Sequence, residues 1–262
     1  LMIDFDNINY QVNWYPKDKN TFRYTVIDNI FKESFRMDML NYFNVNCRNN
    51  MRKFDHYDCE FFHIKPSTAE LFSFLYSTEW KKFISNIFPD IPLTNNTIAE
   101  IQHHNIGSPS GWVHNDYDAS QFINEPLENG INVWDENSPY RASEPGDDFI
   151  TDVRSIAMIY HLNDKENWVE GDGGETAFYD GGYDDKNNHV IKVNPIPNRL
   201  LVYEINPFSF HNFKSNLRHE RTTFTQWYHT SMKNSKIRYN HKQTDVYKQD
   251  PPKEVTENYG LQ

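Results

Sequence analysis

RLLVYEINPFSFHNFKSNLRHERTTFTQWY, residues 199–228, is the stretch whose reading decides the fold. It begins with Arg199-Leu-Leu-Val-Tyr-Glu-Ile205 and ends with Arg221-Thr-Thr-Phe-Thr-Gln-Trp-Tyr228, two runs rich in the β-branched and aromatic residues that suit a pleated surface. Between them Asn206-Pro207 and Ser209-Phe210-His211-Asn212 interrupt the pattern as a loop does. In extended chain, alternation puts Arg221, Thr223 and Thr225 on one face. An imidazole in a loop thus lies between two strands, the second of which opens on a guanidinium.

The same texture extends outward from this stretch. Brief β-prone segments punctuated by Gly, Pro, Asn and Asp are predicted at 97–104, 111–114, 154–162, 175–179 and 190–193, with earlier strands at 22–27 and 59–64. Helices are expected at 28–43, after Pro66-Ser67-Thr68, and from Thr78-Glu79-Trp80 to the stop at Phe88-Pro89. Many short strands with turn signals between them predict a mainly β sandwich or barrel with flanking helices. The expected organisation is a single structural domain: supporting strands and helices over 1–96, a β core over 97–232, and a polar tail over 233–262. The segment 117–152 carries Pro126, Pro139, Pro145 and Gly146 together with Trp134 and Tyr140, and is a candidate substrate lid.

Composition narrows the chemistry. At 262 residues the chain is long enough for one substantial core. No run of eighteen apolar residues occurs and the first residues lack a basic, then apolar, leader, so a soluble, cytoplasmic protein without membrane contact is expected. Cys47 and Cys59 are the only cysteines, which excludes a disulfide framework and any cysteine-rich metal site. A metal here must be held by nitrogen and oxygen. The net charge of -11 argues against nucleic acid, whose binding depends on clustered Lys and Arg. Between residues 116 and 185 there are 18 acidic and 3 basic residues. These read either as solvated loops or as a field that draws a cationic substrate.

His114-Asn-Asp116 sets an imidazole and a carboxylate two residues apart, on one face if the chain is extended. With His211 as a third ligand they form a set of two imidazoles and one carboxylate on one face of an octahedral ion, the facial triad of non-haem Fe(II) oxygenases. 2-Oxoglutarate would chelate at two of the open positions, leaving one for O₂. Arg221, with Thr223 beside it, suits the distal carboxylate of that cosubstrate, because a guanidinium pairs bidentately with a carboxylate. Arg218 is a rival for the task. Thr176 and Trp227 either line the cosubstrate pocket or pack as ordinary strand residues. Gly173-Gly174 reads as a hairpin turn. Asp180-Gly-Gly-Tyr-Asp184-Asp185 lacks the spacing of a calcium loop and reads as a solvated tip. His103, His161, His219 and His229 read as structural or exposed.

Four ordered segments then give a resemblance. Ile101-Gln-His-His104-Asn-Ile-Gly107 leading into His114-Asn-Asp-Tyr117, Arg154-Ser-Ile-Ala-Met-Ile-Tyr160-His-Leu-Asn163, Gly173-Gly-Glu-Thr176-Ala-Phe178, and Pro197-Asn-Arg199 with the spacing of His211 to Arg221 are in the order of the prolyl 4-hydroxylase-like branch of the iron(II)/2-oxoglutarate oxygenases, which the chain resembles over residues 97–230. The resemblance implies a double-stranded β-helix (jelly-roll, cupin-like) core. It also implies hydroxylation of an unactivated C–H bond in a peptidyl, proline-like, or small-molecule substrate, with release of succinate and CO₂ and with ascorbate as a further reductant. Asp116 in the metal motif favours hydroxylation over halogenation, for which a small residue there would open a halide site. Many relatives place a Tyr on the strand before the metal motif, against 2-oxoglutarate. Here His104 and Asn105 occupy that neighbourhood, and Tyr160 or Tyr203 is expected to supply the contact instead. The prolyl hydroxylases commonly carry Lys where this chain has Arg221, so substrate identity does not follow. The other classes considered are a cupin-type metalloenzyme that is not an oxygenase and a catalytically silent ligand-binding barrel. Iron- and ascorbate-dependent succinate release separates the oxygenase from both.

Overall fold

A computed structural model gives the fold, and it describes residues 8–15, 22–54, 58–67, 70–135, 149–163, 168–179 and 189–239. In chain order the elements are β1 (Asn13–Tyr15), β2 (Phe22–Ile27), α1 (Glu33–Tyr42), β3 (Arg52–Lys53), β4 (Glu60–His63), α2 (Thr78–Ile87), β5 (Asn96–His104), β6 (Ala119–Phe122), β7 (Asn132–Val133), β8 (Ile150–His161), β9 (Thr176–Tyr179), β10 (His189–Val193), β11 (Leu200–Glu204), β12 (His211–Phe213), β13 (Arg221–Ser231) and α3 (Met232–Tyr239). A π-helical turn, Phe43–Cys47, prolongs α1, and a 3₁₀ turn, Glu70–Tyr76, precedes α2.

The large sheet runs β1-β2-β11-β8-β13-β5-β4-β3 with every neighbouring pair antiparallel; β6 adds antiparallel beside β8 and β7 parallel beside β5. A small sheet, β10-β9-β12, faces it. Two sheets closed face to face in this way form the double-stranded β-helix, as expected for the class. One apolar core lies between the sheets and includes Phe22, Ile98, Ala157, Ile159, Phe178, Leu201 and Trp227. The other lies between the back of the large sheet and the helices, with Phe31, Trp80, Ile84, Tyr160 and Phe224.

The helix α2 follows from its sequence. Ser77 accepts the Trp80 backbone N–H at 3.1 Å as an N-cap, and Trp80, Phe83, Ile84 and Ile87 fall on one face at helical spacing. Trp80 fixes that face to the sheet by donating Nε1–H to Gln226 of β13 at 3.1 Å. Cys47 and Cys59 are both free thiols, buried.

Three readings change. The segment 117–152 is not structureless: β6, β7 and the start of β8 are hydrogen-bonded into the large sheet, and Trp134 is buried in the core between the sheets with its ring 4.7 Å from that of His63. Trp134 is therefore a core residue and not a lid residue; Tyr140, the other aromatic of the candidate lid, lies outside the described residues. The expected polar tail begins with a helix, since α3 continues directly from β13 and sets Arg238 against Asp90 and Glu204. Residues 111–114 form no strand; His114 alone makes a bridge, to His211. The Asp180–Asp185 motif lies outside the described residues.

Candidate active site

The site lies between the sheets, where β13, β5 and β8 turn alternate side chains inward. Register fixes which ones. Arg221, Thr223, Thr225 and Trp227 of β13 lie opposite His104, Gln102, Glu100 and Ile98 of β5, and on the other side Thr223, Thr225 and Trp227 lie opposite His161, Ile159 and Ala157 of β8. A cleft of about 90 Å³ opens over this face, lined by Glu100, His114, Asp116, Arg154, Tyr203, His211 and Arg221 among others.

His114, Asp116 and His211 bring one ligand-type atom each to within 4.8 Å of one another, the one such cluster among the described residues. His114 and His211 exchange both backbone hydrogen bonds, at 3.0 and 2.7 Å, so the loop after β5 is tied to the start of β12. His211 thus opens a strand and does not merely follow one. Asp116 is reached by a turn and not along a strand: its φ is +59°, a left-handed conformation that Asp tolerates better than most residues. The turn swings the carboxylate round so that Oδ1 is 3.5 Å from His114 Nε2 and Oδ2 is 3.6 Å from His211 Nε2.

The imidazoles are set for metal binding. His114 Nδ1 donates to the Trp112 carbonyl at 3.0 Å and His211 Nδ1 to the Ser209 carbonyl at 2.8 Å. Since a carbonyl can only accept, both Nδ1 atoms carry a proton, and both Nε2 atoms face Asp116, where a protonated ring pairs with the carboxylate and an unprotonated one offers its lone pair to a metal. Burial alone would raise the Asp116 carboxyl, but His114, His211 and Arg154 outweigh it and hold the group well below the usual carboxylate range. An anionic carboxylate with two neutral imidazoles is the donor set that suits Fe(II).

Asp116 is gripped from behind. Arg154 Nη1 donates to its Oδ1 at 3.2 Å and Trp227 Nε1–H to its Oδ2 at 2.9 Å, while the Arg154 guanidinium lies 4.4 Å from the Trp227 ring. Trp227 lines the cleft, and its indole N–H orients the carboxylate. Sequence reasoning missed Arg154, whose position inside a continuous strand gave no hint of a functional charge. Trp227→Phe should keep the ring packing and the cation–π contact while deleting this donor. The expected result is a loss of about 10- to 100-fold in Fe(II) or Co(II) affinity by titration, with little change in melting temperature.

Of the two candidate tyrosines, Tyr203 lines the cleft. Burial, with Asp116 adding to it, pushes its hydroxyl well above the ordinary value, so it stays protonated and donates to His211 Nε2 at 2.9 Å. It therefore holds the lone pair that a metal would take. Tyr160 is a correction. It points to the back of the sheet, where its ring packs on Phe31 and Phe224 and its hydroxyl donates to Asn198 at 3.2 Å; the neighbouring Ile159 and His161 face the cleft side. A period of two cannot bring both Ile159 and Tyr160 inward.

At the other end of the cleft is Arg221, buried, giving Nη2 to Thr176 Oγ1 at 3.2 Å and lying 5.3 Å from the Phe213 ring, which stacks on His104. Thr176 therefore serves the site by fixing the guanidinium. Arg218, the rival, has a side chain 71% exposed and pairs with Asp172 away from the cleft. Thr223 Oγ1 and both ring nitrogens of His161 are buried without a hydrogen-bond partner among the described residues. These are donors and acceptors beside a buried cation, which is what the distal carboxylate of 2-oxoglutarate requires. His161 is a second residue that reasoning from sequence missed; burial, and then Arg221 and Arg199, keep it neutral, well below the usual histidine value.

Gly173 and Gly174 do more than make a turn. Both have φ of +83°, and a Cβ on Gly173 would sit 2.0 Å from the Ser215 carbonyl oxygen, one on Gly174 2.6 Å from Asn216 Oδ1. The segment can cross under 215–216, next to Arg221, only without side chains.

Comparison with known proteins agrees with this geometry. Residues 134–229 match the model of the 2OG-Fe(II) oxygenase superfamily. Among solved structures, the chain is similar to a Pseudomonas putida prolyl-4-hydroxylase (13% identity, TM-score 0.52, 79% of this chain and 91% of that one). It is also similar to a Trichoplax adhaerens prolyl hydroxylase in complex with a hypoxia inducible factor oxygen degradation domain peptide (17%, 0.54, 82% and 86%). A viral collagen prolyl hydroxylase from Paramecium Bursaria Chlorella virus-1, in a 2OG complex, is similar at 15% identity and TM-score 0.50 over 79% and 95%. At these identities the likeness is one of fold.

Proposed function

We propose that this chain is a 2-oxoglutarate- and Fe(II)-dependent dioxygenase, of the superfamily whose model residues 134–229 match, and that it hydroxylates an unactivated C–H bond of a peptidyl, proline-like, or small-molecule substrate. The observation that carries the reading is a single cleft with His114, Asp116 and His211 at one end and the buried Arg221 at the other. Neither a silent barrel nor a metalloenzyme without 2-oxoglutarate has use for both. A peptidyl substrate draws support from the three similar structures, all prolyl hydroxylases, one of them with a peptide bound.

In this reading His114, Asp116 and His211 hold the iron, and Arg221 with Thr223 and His161 anchors the distal carboxylate of 2-oxoglutarate. When bound, these groups supply the oxidation: O₂ is consumed, 2-oxoglutarate becomes succinate and CO₂, and one oxygen atom goes to the substrate carbon. The protein's part is positional and electrostatic. Trp227 and Arg154 fix the Asp116 carboxylate, the Trp112 and Ser209 carbonyls fix both imidazole tautomers, and the aromatic walls Phe54, Trp112 and Phe213 limit access of water.

The test is release of succinate from 2-oxoglutarate by the purified chain with Fe(II), ascorbate and O₂, followed with and without candidate substrates. Turnover that stops on chelation of iron and returns on its addition is the expected result; no succinate under any condition would refute the reading.

A further inference from the structure

We propose that Glu100 selects the substrate, its carboxylate receiving a cationic hydrogen-bond donor, an ammonium or guanidinium, carried by the molecule that is hydroxylated. The inference rests on the hydroxylase reading and adds the chemical class of the substrate.

Glu100 stands on β5 with its side chain on the cleft face, opposite Thr225, and is 1% exposed. It lines the same cleft as His114, Asp116 and Arg154. Its Oε1 accepts from Gln102 Nε2 at 2.6 Å, but Oε2 has no hydrogen-bond partner among the described residues. The nearest basic atom to Oε2 is His63 Nδ1 at 3.6 Å, beyond hydrogen-bond reach. A buried carboxylate oxygen left without a donor is costly, so it persists where something outside the fold completes it.

The occupants of the cleft can be sorted by chemistry. 2-Oxoglutarate is a dianion with no N–H to offer and would be repelled by a carboxylate. The iron belongs to the cluster at His114, Asp116 and His211, which does not include Glu100. O₂ is no donor. Water is a donor as well, but the one reactant that remains is the substrate. Phe54 and Trp112 bring aromatic rings to the cleft walls, and such rings attract organic cations. Burial pushes the Glu100 carboxyl up to about 7, which Gln102 and Arg154 oppose and Asp116 reinforces; an arriving cation favours its ionised form. The 18 acidic residues against 3 basic ones between 116 and 185 give the chain a negative field that favours the approach of cations.

The test uses blocked tripeptides Gly-Xaa-Gly and the corresponding free amino acids, with Xaa lysine, arginine, their neutral counterparts norleucine and citrulline, and proline. Succinate release above the substrate-free rate and a mass gain of one oxygen are measured on the full chain with Fe(II), ascorbate and 2-oxoglutarate. The expected result is that lysine or arginine probes stimulate turnover at least about tenfold more than norleucine or citrulline. Glu100→Gln, close in shape but uncharged, should erase that preference by at least about tenfold, and Glu100→Asp should retain its sign. If proline or the neutral probes stimulate wild-type turnover and the cationic ones do not, or if Glu100→Gln keeps the cation preference, the inference is overturned. The wild-type comparison stands even if a variant fails to fold. Substrate-free succinate release with no response to any cationic probe overturns this inference alone, whereas no succinate at all overturns the hydroxylase reading with it.

Discussion

His114→Ala is expected to lower succinate release by more than about 10³-fold while the protein still folds. The loss corresponds to more than about 4 kcal/mol of barrier, the scale for removing a metal that carries the oxidation. His114 is the informative position because its side chain is a quarter exposed, so truncation removes less packing than at His211, which is 6% exposed. Asp116→Ala should be equally inactive but for a compound reason. It strips the anion from Arg154 and leaves a buried guanidinium without its carboxylate, which typically costs about 3–5 kcal/mol of stability. Metal titration and a melting curve on both variants separate the two effects. Near-normal turnover in His114→Ala would refute the ligand assignment.

Arg221→Met is expected to raise the KM for 2-oxoglutarate by about 100-fold, with kcat at saturation much less affected. Removing one partner of a buried charge-assisted pair typically costs about 2–5 kcal/mol, and an interaction equally present in ground and transition states appears in KM alone. Arg221→Lys should fall between, because an ammonium keeps the charge and loses the planar fork that Thr176 now orients. The check is a 2-oxoglutarate titration of succinate release, with metal affinity measured alongside. If metal affinity fell and KM for 2-oxoglutarate did not change, Arg221 would belong to the iron end of the cleft and its assigned role would be wrong.

Trp227 and Arg154 extend this division of labour. Each touches Asp116 and neither is near Arg221 in register, so their variants should act on metal affinity and spare the cosubstrate KM. That contrast distinguishes an orienting role from general support of the fold.

The residue types and their order determined the chemistry from sequence alone. Two imidazoles and a carboxylate in a chain with two cysteines leave few metals to consider, and the strands 22–27 and 221–229 are recognisable because β-branched and aromatic residues crowd them. What sequence could not supply was phase. Strands β8 and β13 are buried along nearly their whole length on both faces, so neither carries the polar alternation that tells inside from outside. This is why Tyr160 reads as a pocket residue and proves to pack against Phe31, while His161 and Arg154 pass unnoticed. The metal loop was equally opaque, since the left-handed turn at Asp116 and its bridge to His211 arise from a contact between segments nearly a hundred residues apart. Local propensity specifies which side chains a strand offers; only pairing between distant strands decides which of them meet.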